Sequence, residues 1–168
     1  MTVPTEFHYE LLEQAEHLIA RDNSQASIRR GVSSAYYVLF HLLITEAVQR
    51  LGSHLDPQLQ ARTRRAFAHA DMARVCDQFA SGSFSKELRT LVAIPVEPAL
   101  KTVAKTFKDL HDSRLTADYD LAADFDPIEA IVLHGITALA FRDWSKIKHT
   151  PNATTFLTAL IFCRHWSR

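Results

Sequence analysis

The sequence contains few residues that break regular structure, and its charges are balanced. Its 168 residues include only 4 glycines and 6 prolines, which limits the number of tight turns and favours long helices over many short strands. The 19 basic and 19 acidic residues give a formal net charge of zero. No positive field of the whole protein therefore attracts nucleic acid, and any such binding has to come from a local patch.

Crosslinks, export signals and long apolar runs are also scarce. The two cysteines, Cys76 and Cys163, stand among apolar neighbours, and we predict reduced thiols in the core. The N-terminus has neither a basic start nor an apolar run, so it does not look like a targeting segment. No uninterrupted apolar stretch approaches the length of a membrane span. These absences predict a cytoplasmic protein without membrane contact.

The motifs of the common enzyme chemistries are missing as well. There is no glycine-rich phosphate loop, no Cys-x-x-Cys pair and no serine or cysteine in a nucleophile elbow. The 9 histidines are scattered, without the spacing that places two metal ligands on one helix face. The sequence therefore predicts neither a metal nor a cofactor.

The strongest positive signal is an apolar periodicity of three and four residues between positions 25 and 50. This period is typical of a helix that buries one face. Small residues precede the aromatics Tyr36, Tyr37 and Phe40, so a neighbouring helix can approach closely at one end. The apolar positions are Ile28, Val32, Ala35, Tyr36, Leu39, Leu43 and Ala47.

Capping signals divide the remaining chain into further helices. Ser24 can cap the long helix and Gly52 ends it. Asp56 and Asp126 each precede a proline, and a capping carboxylate followed by proline is a strong helix start. We predict one all-α domain over residues 1–168, an up-and-down bundle of five to seven helices.

Three details of this bundle are open to a direct check. We expect the helix that starts after Asp56 to continue to His69, and the segment from Arg114 to Asp126 to mix helix and loop. In the helix that starts after Asp126 we expect one apolar row to face inward. That row is Ile131, Val132, Leu139, Ala140, Trp144 and Ile147.

Two charged stretches need partners. Arg114 and Asp118 are four residues apart, so on a helix they share a face and can pair. Arg29 and Arg30 stand at the head of the long helix, and we predict that one of them lies within hydrogen-bond reach of Asp118. The alternative is an ordinary ion pair on a solvated helix end.

Two blocks of the sequence resemble the HEPN superfamily of small helical bundles, closest to its largely uncharacterised bacterial branch. The first block is an arginine pair followed by Ser-x-Ala-Tyr-Tyr-x-x-Phe-His, and the second is Arg-x-x-Ala-Asp-Tyr. The segment that ends at His69 also resembles a histidine-bearing helix between them. The resemblance covers residues 29–144 and leaves the last helix, about 152–166, outside it. The matching residues are Arg30, Ser33, Ala35, Tyr36, Tyr37, Phe40 and His41, then Arg114, Ala117, Asp118 and Tyr119.

The resemblance implies a homodimer that interacts with RNA or nucleotides in a stress or defence setting. Many members are toxin-like, metal-independent endoribonucleases, often encoded beside a nucleotidyltransferase-like partner protein. Their catalytic motif is an arginine that holds the phosphate and a histidine, a few residues later, that transfers a proton.

This chain departs from that motif, because no histidine follows Arg114 at the expected distance. Arg64 precedes His69, but the two are about 140° apart on an ideal helix and converge only if the helix breaks. Arg142 and His149 are a further pair. The candidate catalytic residues are His69, Arg64 and Arg114. The candidate binding or structural cluster is Arg30, Tyr37, His41, Asp118 and Tyr119.

The alternative function is a non-catalytic interaction or dimerisation module, in which the second set only locks helices together. An open basic surface favours RNA chemistry, whereas a cluster sealed in the core favours the structural role.

Overall fold

The computed structural model describes residues 7–166, and within that range the chain forms eight α-helices and no strand. The all-α bundle is confirmed, with one helix more than the upper limit that we predicted. The additional element is short, a single four-residue turn. In chain order the helices are α1 (Phe7–Arg21), α2 (Gln25–Gly52), α3 (Pro57–Arg64), α4 (His69–Ser81), α5 (Lys86–Arg89), α6 (Pro98–Tyr119), α7 (Pro127–Ile147) and α8 (Pro151–Trp166).

The centre of the bundle is α2, which packs against α1, α3, α6, α7 and α8. Gly31 has no Cβ atom, and this allows α1 to approach α2 closely, as we expected. A Cβ atom there would lie 2.5 Å from Ile19 Cγ1 and 3.2 Å from the Ala15 carbonyl oxygen, so α1 could not pack at this distance. Among the described helices, α2 alone is long and apolar enough to cross a bilayer, and 83% of its most apolar window is buried inside the bundle.

The predicted capping signals are confirmed. The Ser24 hydroxyl accepts from the backbone of α2, and the carboxylates of Asp56 and Asp126 accept from the first turns of α3 and α7. Gly52 is the last residue of α2, but the residue after it keeps right-handed helical angles. The left-handed glycine cap occurs instead at Gly82, with φ 74°, where α4 ends.

The helix predicted to run from Pro57 to His69 is wrong, because α3 ends at Arg64 and α4 begins at His69. The end of α3 is tightened by two backbone hydrogen bonds that span three residues. Arg65 and Ala66 donate them to the carbonyl oxygens of Arg62 and Thr63. Downstream, α6 is one continuous helix to Tyr119 and α7 begins at Pro127, so the segment from Arg114 to Asp126 is helix and then loop, as predicted.

The predicted inward row of α7 is wrong in part. Ile131, Val132 and Leu139 are 59%, 56% and 46% exposed. Apolar residues occur on two sides of α7, so their period could not decide which side packs inward. The buried residues of α7 are Ala130, Leu133, Thr137, Ala140, Trp144 and Ile147.

Both cysteines are free thiols, as predicted. Cys76 is buried in the core and Cys163 is half-buried. Burial raises the pKa of the Cys76 thiol well above its usual value, because a thiolate is poorly stabilised among apolar side chains.

Candidate functional site

The predicted contact between Asp118 and Arg29 or Arg30 is wrong. The Nη1 atom of Arg29 donates to the carbonyl oxygens of Ala117 at 3.0 Å and Asp120 at 2.9 Å. The last carbonyl groups of a helix have no intrahelical donor, so they accept from Arg29, while the Asp118 carboxylate is already bonded to Ser33 and paired with Arg114. Arg30 is exposed, and its side chain forms no hydrogen bond or ion pair with another residue of the range 7–166.

The predicted pair between Arg114 and Asp118 is confirmed. Arg114 Nε lies 2.8 Å from Asp118 Oδ2, with 13% and 24% of the two side chains exposed. The N–H bond is not aligned with the carboxylate, so Nε forms no hydrogen bond. It is also sealed from solvent. The other carboxylate oxygen accepts from the Ser33 hydroxyl at 2.6 Å. Asp118 therefore joins α6 to the middle of α2.

Three tyrosine rings surround the guanidinium group of Arg114. Its Cζ atom is 5.8 Å from the ring centroids of Tyr36 and Tyr37 and 5.6 Å from that of Tyr119. These distances allow cation–π attraction, which is strongest where water is excluded. Arg114 Nη2 also donates to the Tyr37 hydroxyl at 3.4 Å, a long hydrogen bond.

His69 joins this group from a different helix. Its Nδ1 atom is 2.6 Å from the hydroxyl oxygen of Tyr36, and its ring stacks on Phe40 with a centroid distance of 4.2 Å. The Tyr36 side chain is fully buried, and burial raises the pKa of its hydroxyl, which stays protonated. Since that hydroxyl has no other partner among the described residues, it donates to Nδ1. The neutral imidazole of His69 then carries its own proton on Nε2.

Two more histidines lie beside the same aromatic rings. The ring of His41 stacks on Tyr37 at 5.8 Å, and that of His111 lies 5.9 Å from Tyr36. Burial lowers the pKa of His69, and the charge of Arg114 and the neighbouring His111 lower it further. Burial and the neighbouring His8 and His69 likewise lower the pKa of His41.

Two donors of this group are left for a ligand. Neither Nη1 of Arg114 nor Nε2 of His69 forms a hydrogen bond with another described residue. Among residues 7–166, the polar atoms that are both unbonded and sealed from solvent include Nε of Arg114 but neither of these two atoms. Both therefore reach solvent. A guanidinium nitrogen and an imidazole N–H on one aromatic surface suit an oxyanion such as a phosphate group.

The cluster does not line the best-defined cavities of residues 7–166. Five of these cavities have volumes between about 150 and 350 Å³, and none of the five is lined by Arg114 or His69. A site outside these cavities suits one phosphate of a polymer better than a small molecule that needs enclosure. Residues 7–166 also contain no group of three or more histidine, cysteine or acidic side chains that could hold a metal ion.

The structure places the predicted site residues in two groups. The Arg64 side chain forms no hydrogen bond or ion pair within residues 7–166, and its Nε atom is sealed without a partner. The helix does break between Arg64 and His69, as convergence of the two would require. The arginine whose charge lowers the pKa of His69 is nevertheless Arg114. Arg142 and His149 are both exposed and form no side-chain hydrogen bond or ion pair with each other.

One face of α2 lines the cluster. Ser33, Tyr37 and His41 follow each other at intervals of four residues and contribute a hydroxyl, a phenol and an imidazole. Ser33 and His111 were missed as site residues. Their signal was helical spacing, since His111 precedes Arg114 by three residues and therefore shares its face.

No protein-family model, curated protein or solved structure matches this chain. The resemblance to the HEPN superfamily therefore rests on the two sequence blocks alone and stays a prediction.

Proposed function

We propose that this protein binds RNA by holding a backbone phosphate between Arg114 and His69. The observation that carries the proposal is the convergence of these two side chains, from α6 and α4, on the walls formed by Tyr36 and Tyr37. Each keeps one donor unbonded and open to solvent. The sequence resemblance points in the same direction, since it implies RNA interaction by a homodimer in a stress or defence setting, with a nucleotidyltransferase-like protein as a partner.

The same arrangement supports metal-independent cleavage of the bound strand. Arg114 would hold a non-bridging oxygen while the ribose 2′-hydroxyl attacks phosphorus, and the bond to the 5′ oxygen breaks to leave a 2′,3′-cyclic phosphate. The departing 5′ oxygen takes up the proton that an imidazole base removed from the 2′-hydroxyl and ends as a 5′-hydroxyl group. The proton on Nε2 assigns His69 to hydrogen-bond donation toward the phosphate. A neutral imidazole must accept the 2′ proton, and the lowered pKa of His41 keeps a neutral ring available close by.

The test is a binding and cleavage assay with single-stranded RNA in the presence of a chelator. Arg114→Ala should weaken binding by at least about tenfold, the typical value of a lost charge-assisted hydrogen bond. Arg64→Ala is the matched control, because Arg64 lies outside the cluster, and it should bind like the wild type. His69→Ala should weaken binding less and stop any cleavage.

Two results would overturn the proposal. One is that the wild-type protein binds no RNA. The other is that Arg114→Ala binds RNA as tightly as the wild type. Cleavage that continues unchanged in His69→Ala would remove this histidine from the mechanism.

A second function is favoured by one specific contact. The carboxylate of Asp118 lies against Arg114 and accepts from Ser33, so it already neutralises part of the charge that a phosphate needs. In a non-catalytic interaction module this contact would serve only to hold α6 on α2.

A further inference from the structure

The side chain at the C-terminal end of α6 has an unusual environment. Tyr119 is 70% exposed, and no other described phenylalanine, tyrosine or tryptophan side chain is as exposed. It forms no aromatic pair with another described ring, and most of its surface faces solvent. Its one described neighbour of note is Arg114, whose Cζ atom lies 5.6 Å from the ring centroid.

The three tyrosines around Arg114 therefore differ in what they can contact. Tyr36 is fully buried and Tyr37 is half-buried, so both are walls of the cluster. Tyr119 is at the same distance from the guanidinium but presents most of its ring to solvent. An exposed aromatic ring beside a phosphate-binding arginine is the pairing that single-stranded nucleic acid uses, since bases stack on the ring while phosphates meet the cation.

We propose that Tyr119 is the base-stacking platform of this site and that its ligand is single-stranded RNA. A nucleobase stacks on the exposed part of the Tyr119 ring while Arg114 binds a phosphate next to that base. The inference rests on the proposed function, because it needs Arg114 to hold a phosphate.

The proposal selects one class of RNA over another. Bases in a double helix are already stacked on each other, so they have no free face for Tyr119. Single-stranded segments and loops offer free faces, and each base stacked on an aromatic side chain typically strengthens binding by about tenfold or more. Every base has such a face, so the platform adds affinity with little sequence preference.

The experiment measures binding of three fluorescent probes of equal length by anisotropy: a single-stranded RNA, the same RNA in a duplex, and an abasic oligonucleotide that keeps the phosphates. Tyr119→Ala should bind the single strand about tenfold more weakly and the abasic probe as the wild type does. Tyr119→Phe keeps the ring and should behave like the wild type. Tyr9→Ala is the matched control, since Tyr9 is 54% exposed and packs on Phe141, outside the cluster.

Each other result contradicts one definite part of the argument. If Tyr119→Ala binds the single strand as the wild type does while Arg114→Ala does not, stacking is wrong and phosphate binding stands. If Tyr119→Ala weakens binding of the abasic probe as much as binding of the single strand, the ring acts by positioning Arg114 and not by stacking. If the duplex binds as tightly as the single strand, the ligand class is wrong. If Arg114→Ala binds every probe as the wild type does, the proposed function itself fails.

Discussion

Arg29 and Arg114 both place a guanidinium group beside the second half of α6, but they are bonded in opposite ways. Arg29 donates to the carbonyl oxygens of Ala117, Asp120 and Ala123, and its Cζ atom lies 5.8 Å from the centroid of the Phe125 ring. All of these partners lie at the end of α6 or in the connection to α7. The guanidinium of Arg29 is thus used to hold that connection in place.

Arg114 leaves its donors incompletely used. It has one long hydrogen bond, to Tyr37, and one ion pair, with Asp118, while Nη1 is free toward solvent. A guanidinium whose role is structural normally has its donors matched, because an unmatched buried donor costs free energy. The comparison therefore separates an arginine that serves the fold from one that is available to a ligand.

The buried amide of Asn152 belongs to the first kind. It is 3% exposed, accepts from the Ala93 backbone N–H at 2.8 Å, and donates to the Ala93 carbonyl and the Glu97 carboxylate, each at 2.9 Å. The amide of Asn152 is thus fully bonded within the fold, whereas the guanidinium of Arg114 is not.

The largest effect on stability that we expect from this comparison is that of Arg29→Ala. Removing its hydrogen bonds to the end of α6 should lower the free energy of unfolding by about 2 kcal/mol, the typical value for hydrogen bonds to a charged group. Urea unfolding measures the change. Arg30→Ala is the control, since Arg30 is exposed and unpaired among the described residues, and it should change stability by less than about 0.5 kcal/mol. Equal losses in the two variants would contradict the structural role of Arg29.

A smaller effect is expected from Tyr36→Phe. The substitution removes the buried hydroxyl that donates to His69 Nδ1 at 2.6 Å, and we expect a loss of about 1 kcal/mol. Tyr37→Phe is the matched control, because its hydroxyl only accepts a 3.4 Å bond, and its stability should be close to that of the wild type. If Tyr36→Phe is as stable as the wild type, the hydrogen bond to His69 does not contribute to the folded state.

The smallest effect is the pH dependence of stability. Burial lowers the pKa values of His8, His41 and His69 below their usual 6.5. As the pH falls through 6.5, the unfolded chain takes up protons before the folded chain does, so this contribution to stability is full above that pH and declines from about pH 6.5 toward pH 5. Urea unfolding across this range should show the decline. His41→Phe should flatten it, whereas replacing the exposed His17 by alanine should leave it unchanged.

The sequence predicted the helix starts well because a cap is a local event. Ser24, Asp56 and Asp126 bond to backbone within their own first turn, so residue type and spacing were sufficient. The residue at which α6 ends was not predicted, because its last two turns contain residues of weak helix propensity, such as Asp112, Ser113 and Thr116, among good helix formers. Packing of α6 on α2 and α7 outweighs that local preference.

The site was predictable only in its components. Arg114, His69 and Tyr37 were each named, but His69 was paired with Arg64, its neighbour in sequence. In the structure Tyr36 contacts both His69 of α4 and Arg114 of α6, and a contact between helices far apart in sequence has no periodic signal. The spacing of Arg114 and Asp118 did predict their ion pair, because both lie on one helix.

The measurement that tests the account most directly is the RNA affinity of Asp118→Asn. Asparagine has the shape of aspartate and can still accept the hydrogen bond from Ser33, but it removes the negative charge beside Arg114. If Arg114 binds phosphate, removing that charge should raise the affinity for a single-stranded RNA by about fivefold, the value of a partly exposed charge pair. If affinity is unchanged while the free energy of unfolding falls, Asp118 and Arg114 serve only to hold the helices together, and the phosphate site is wrong.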